Sequence, residues 1–113
     1  MRIIDFEWEE TKMSKVLFTL TGTNYRYGTE FLEVGMTLSL EKEPDNQYDK
    51  EAIKVDYDGL GTIGYVANST KTVKGETLSA GRIYDKIGKK AKAKVLVVLP
   101  DGAICKIKKK SLK

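Results

Sequence analysis

Apolar positions along this chain recur mostly at every second residue, the period of a half-buried β-strand. Thr37–Glu43 sets two leucines against alternating polar residues, and Ala52–Tyr57 repeats the alternation. Lys15–Thr21 is β-branched and aromatic-rich, which favours a first strand. Asp58-Gly59-Leu60-Gly61 then turns the chain into Thr62–Val66, the hairpin partner of Ala52–Tyr57. Gly64 inside that strand marks a bulge or the close approach of another backbone. Ala93–Leu99 is almost wholly apolar, so it is expected to be the most central strand. Pro100-Asp101-Gly102 is a turn, because Pro presets φ and Gly accepts a positive one. Ala103–Lys108 returns antiparallel with its lysines on the wet face, and Cys105 within it reads as a packing residue.

One segment has helical spacing. Ser79 is placed to cap a helix over Ala80–Ile87, with Ile83 and Ile87 on one face and Gly88 ending it. Asn68-Ser69-Thr70 begins a possible second short turn, and 71–75 reads as a mobile loop. Six short strands with one or two short helices give a mainly β, α+β fold: a small six-stranded barrel. Barrels of this size are common nucleic-acid platforms.

Length and composition narrow the functional classes. The 113 residues make one domain, with a core expected over about 15–108, an N-terminal arm over 1–14 and a basic tail over 108–113. No apolar run approaches the roughly 18 residues that a membrane helix needs. The first ten residues carry acids where a secretory signal carries bases, and the single cysteine suits a reducing cytoplasm. The chain has no histidine, which removes the usual zinc sets and His-based catalysis, so neither a metal, a cofactor nor an enzymatic activity is expected.

Charge is unevenly distributed. Net charge is +4, yet from Lys86 onward ten lysines face one acid, Asp101. Between Glu41 and Asp58 seven acids face three lysines. The basic third is the electrostatic footprint of a polyanion binder; its bland alternative is a solubilising face.

Two clusters carry the chemistry of single-strand binding, which needs cations for phosphates and rings for bases. The first is Tyr25-Arg26-Tyr27, a guanidinium between two rings; tyrosines also commonly rim barrels. The second is Asn46, Tyr48, Asp49 and Lys50, in the turn-rich stretch before Ala52–Tyr57. A carboxylate beside a polyanion is repulsive unless it accepts from a donor. A free 3′-hydroxyl is such a donor, so Asp49 suits the reading of a strand end. Its plainer role is to cap the turn by accepting from backbone amides.

The stretch from Pro44 to Val55, followed by Ile63-Gly64-Tyr65-Val66, resembles the HIRAN domain over roughly 16–87. The pairing of Arg26-Tyr27 with Tyr48-Asp49 carries the resemblance. Gly64–Ser69 and Ser79–Lys86 are similar to its stand-alone bacterial branch. The resemblance implies a modified oligonucleotide-binding (OB-like) barrel that grips the 3′ end of single-stranded DNA, in a protein that works beside DNA-repair or helicase partners. It implies that Tyr27 and Tyr48 stack on terminal bases, Arg26 holds phosphate and Asp49 bonds the terminal hydroxyl. Gln47 stands where the family has Pro, and Asn68 where eukaryotic members have a phosphate-binding lysine; Lys71 or Lys74 is the candidate substitute.

Two other classes compete. A protein-interaction barrel would use the acidic stretch from Glu41 to Asp58. A magnesium nuclease would need Asp45, Asp49, Asp56 and Asp58 to converge, which their spacing does not require. A nucleotide-hydrolysing motor is excluded for this stretch, since it has no Gly-rich loop ending in Gly-Lys-Ser/Thr.

Overall fold

The computed structural model describes residues 15–113; the expected N-terminal arm, with its acidic start, lies outside them. Six strands form: β1 (Leu17–Thr21), β2 (Thr37–Lys42), β3 (Ile53–Tyr57), β4 (Gly61–Val66), β5 (Lys90–Leu99) and β6 (Gly102–Ile107). All neighbours are antiparallel and the sheet closes on itself in the order β1-β4-β3-β2-β5-β6, with β6 returning to β1. Alternation explains the core. Leu38 and Leu40 of β2, Ile53 and Val55 of β3, Ala91, Ala93 and Val95 of β5, and Ala103, Cys105 and Ile107 of β6 all point inward and are buried.

Two positions bend the barrel. Val55 pairs with Gly64 while Asp56 pairs with Thr62, leaving Ile63 as the extra residue of a bulge. A Cβ on Gly64 would press on the Thr21 carbonyl oxygen, so the residue marks both a bulge and a close approach. In β5, Val95 pairs with Cys105 and Val97 with Ile104, which leaves Leu96 unpaired. That bulge turns Val97 outward to 47% exposure and leaves Leu96, Val98 and Leu99 half-buried. The most apolar strand is therefore not a central one, because a closed barrel has no centre strand and both neighbours of β5 are equivalent in rank.

A single α-helix, α1 (Ala80–Tyr84), follows β4. Ser79 caps it as expected, its side chain accepting from the Arg82 amide at 3.3 Å. It ends at Tyr84 rather than Ile87, where the chain straightens so that Ile87 bridges to Leu112. Ile83 and Ile87 are both buried all the same. Two 3₁₀ turns went unforeseen, at Thr23–Tyr25 and Lys109–Ser111. Residues 108–113 are tied to the barrel: the Lys92 amide donates to Ser111 Oγ at 2.9 Å and the Lys113 amide to the Lys86 carbonyl at 2.9 Å. Among the described residues, no helix is long and apolar enough to cross a membrane.

Candidate nucleic-acid interface

Three segments meet at one rim of the barrel. The β2–β3 connection supplies Asn46, Tyr48 and Asp49; the 3₁₀ turn after β1 supplies Arg26; and the chain leaving β4 supplies Asn68, Ser69 and Thr72. With Tyr65 and Val66 they line an open groove of about 520 Å³.

The β2–β3 loop is built by Asn46. Its Oδ1 accepts from the amides of Tyr48 at 2.9 Å and Asp49 at 3.1 Å, an Asx-type turn, while its Nδ2 donates to Glu43 Oε1 at 3.1 Å. The side chain thus supplies the order that a proline at position 47 would otherwise give. Tyr65 locks the same corner, donating from its hydroxyl to Glu43 Oε1 at 2.8 Å. Burial and then this bond to a carboxylate push the Tyr65 hydroxyl above its ordinary pKa. Tyr48, by contrast, stands 93% exposed, a large ring held in water by an ordered backbone.

Asp49 takes the turn-capping role with one oxygen and turns the other toward Asn68. Oδ1 accepts from the Glu51 amide at 2.9 Å, the turn-capping bond. Oδ2 accepts from Asn68 Nδ2 at 2.8 Å and faces the groove wall that Asn68 helps to form. A carboxylate offers about four lone-pair directions, so acceptor capacity remains. Asn68 is a joint. It donates to Asp49 and, at 3.3 Å, to Glu51 Oε1, while its Oδ1 accepts from the Gly81 amide of α1 at 2.9 Å. Its donors are spent on carboxylates, so it does not replace a phosphate-binding lysine.

The remaining candidates lie around this groove. Tyr27 is outside it: its hydroxyl donates to the Leu60 carbonyl at 3.2 Å and its ring meets Phe31 edge-on at 6.5 Å. Tyr25 is 90% exposed on the 3₁₀ turn and does not line the groove. Lys50 and Lys71 are exposed on the two bordering loops. The guanidinium, the phenol and the acid therefore come together, and the second ring does not. Sequence reasoning missed Tyr65, Ser69 and Thr72. Tyr65 had a signal, since it falls on the outward phase of β4.

A second depression of about 500 Å³ lies across Tyr48, sharing Asn46, Tyr48 and Tyr65 but lined by Glu41, Glu43 and Asp45 with Lys42, Lys54 and Lys89. Tyr48 is the partition between the groove that holds Arg26 and Asp49 and a depression whose three acids are matched by three lysines. The four aspartates of the nuclease reading do not assemble: no cluster of three or more potential ligands forms among the described residues.

A family model described as the HIRAN domain matches residues 13–99. The chain belongs to the HIRAN domain family. HIRAN domains are nucleic-acid-binding modules rather than catalysts. Among solved structures, the HIRAN domain of human HLTF is similar with a TM-score of 0.54 and 17% identity, over 82% of this chain and 74% of that one. A protein from Lactobacillus plantarum is similar with a TM-score of 0.53 and 20% identity, over 82% of this chain and 92% of that one. At these identities the likeness is one of fold. No curated protein matches the chain in sequence.

Proposed function

We propose that this HIRAN domain is a non-catalytic module that binds single-stranded DNA at its free 3′ end. The reading rests on one juxtaposition: Arg26, Tyr48 and Asp49, 22 and 23 residues apart in sequence, line a single groove. Arg26 meets the terminal phosphodiester, the Tyr48 ring stacks on a base, and Asp49 accepts from the 3′-hydroxyl. Asn68 and Asn46 hold the acid and the ring in place. Tyr27 supports the turn that presents Arg26. A groove on the rim of a barrel inside the cell, beside a repair or helicase partner, is the setting this chemistry suits.

A strand-addition mode of protein binding has little support, because closure of the barrel leaves no unpaired edge among the described strands. The test is fluorescence anisotropy with oligonucleotides ending in 3′-hydroxyl or 3′-phosphate, at two salt concentrations. Tighter binding of the hydroxyl end is expected, with the preference abolished by Asp49→Ala. Arg26→Ala should flatten the salt slope by about 0.7, the contribution of one single-strand phosphate. Tyr48→Ala should cost about 1–3 kcal/mol, one stacked base. Equal affinity of the wild type for both ends would discard end reading.

A further inference from the structure

The lysines of the C-terminal third do not face the groove. β5 alternates strictly over its first half: Ala91, Ala93 and Val95 are buried, while Lys90, Lys92 and Lys94 are exposed on the outer wall. β6 adds Lys106 beside them and, just past its end, Lys108. Successive outward residues on a strand lie about 6.6 Å apart. The wall is thus a regular lattice of cations on rigid backbone, not a mobile tail.

Two features separate it from an ordinary solvated face. First, Lys94 and Lys106 are directly paired across β5 and β6. Like charges in such positions repel at Cβ separations of about 4.5–5.5 Å and destabilise the sheet. Secondly, counter-charge is confined to one end of the lattice, where Glu41 and Asp56 share a depression with Lys90 and Lys92. Opposite Lys94, Lys92 and Lys90 on β2 stand Thr37, Ser39 and Glu41. Glu41 is 3.7 Å from Lys54, and Lys92 donates to Ser39 Oγ at 2.8 Å. Among the described residues, Lys90, Lys94 and Lys106 have no acidic partner within salt-bridge distance. A surface that keeps repelling cations in register is complementary to a polymer of regularly spaced anions.

The barrel order places this wall. With strands in the cycle β1-β4-β3-β2-β5-β6, β5 is opposite β4 and β6 opposite β3. The groove is built around the ends of β3 and β4. We propose that the outer wall of β5 and β6 is a second nucleic-acid contact, which holds the backbone of duplex DNA without reading sequence. The cations are all lysines, point charges suited to phosphate oxygens and not to the bidentate reading of a base edge. The wall carries no aromatic ring, and Val97 is the one large apolar residue of β5 that is strongly exposed. An anionic membrane would call for several such inserting residues. One domain can then hold duplex on one wall and a strand end on the other.

Relaxed, covalently closed circular duplex has no ends, so it probes the wall and not the groove. The wild type should bind it at low salt, and affinity should fall steeply as salt rises. In Lys90→Gln/Lys94→Gln/Lys106→Gln the salt slope should shrink by about 0.9 for each lysine that met a phosphate. The same variant should keep the wild-type preference for a 3′-hydroxyl over a 3′-phosphate oligonucleotide, and it should melt no lower than the wild type, because repulsion has been removed. Failure of the wild type to bind the circle, an unchanged slope in the variant, or binding to phosphatidylserine vesicles in place of the circle would each overturn the proposal. Loss of the end preference in the variant would overturn the separateness of the two surfaces. Loss of end preference in the wild type alone would count against the groove and leave the wall standing.

Discussion

Asn68 sets the orientation of the acid in the groove, and its own orientation is forced. The Gly81 amide can only donate, so Oδ1 must face it and the NH₂ group must face Asp49 and Glu51. Asn68→Asp replaces two donors with a third carboxylate beside two others. The change should cost about 1–3 kcal/mol, the range for stranding a paired polar group, measured by urea unfolding. It should also weaken binding of a 3′-hydroxyl oligonucleotide more than that of a duplex circle. An unchanged unfolding midpoint would show that the joint contributes nothing. Little of this was legible in the sequence. The acid, the ring and the guanidinium were readable as chemistry, but the partner of Asp49 lies 19 residues along the chain, and no local pattern marks such a meeting. The placement of Tyr27 outside the groove was hidden for the same reason. Adjacency to Arg26 suggested a shared site, whereas backbone geometry after the 3₁₀ turn sends the two side chains to different neighbours.

Strands were the legible elements, because alternation is a local property and burial on one side enforces it. All six were expected within three residues of their observed ends. The helix was legible at its start, where Ser79 bonds locally, and not at its finish, which is set by the bridge from Ile87 to Leu112. Gly64 shows how an element-level rule becomes a measurable cost. Its backbone does not have positive φ, so an added Cβ is penalised by contact alone, with the Thr21 carbonyl and, at 2.8 Å, Leu20 Cδ1. Gly64→Ala should destabilise the domain by about 1–3 kcal/mol, as overpacking does. Gly88→Ala is the matched control: it also lacks positive φ and meets nothing within 4 Å. That substitution should be neutral or stabilise by up to about 1 kcal/mol through the unfolded chain. Equal melting temperatures for the two variants would remove the close approach as the reason for glycine at position 64.

Closure is the property of the whole molecule that no single strand announces, and Cys105 reports it. It sits inside the barrel between its pairing partners Phe18 of β1 and Val95 of β5, fully buried. Burial pushes its thiol up from the usual 9.0 to about 12. Alkylation requires the thiolate in contact with solvent, so at pH 8 modification should occur only when the barrel opens. Its rate should therefore rise with urea along the dependence of global unfolding. The pH effect has a definite sign. The unfolded thiol loses its proton as pH passes 9.0, while the folded one keeps it until about 12. The unfolded state then binds fewer protons, so stability falls across that window, with a limiting slope of about 1.4 kcal/mol per pH unit from this group. Tyr65, also raised, adds in the same direction. Lys42, lowered mainly by burial, opposes it. Subtracting Cys105→Ala from the wild type isolates the thiol: the difference in unfolding free energy should be flat below pH 8 and decline above 9. Modification that ignores urea would mean that the seam between β1 and β6 opens alone and that the barrel is not one cooperative unit. A difference that stays flat to pH 10.5 would mean instead that burial does not raise the thiol.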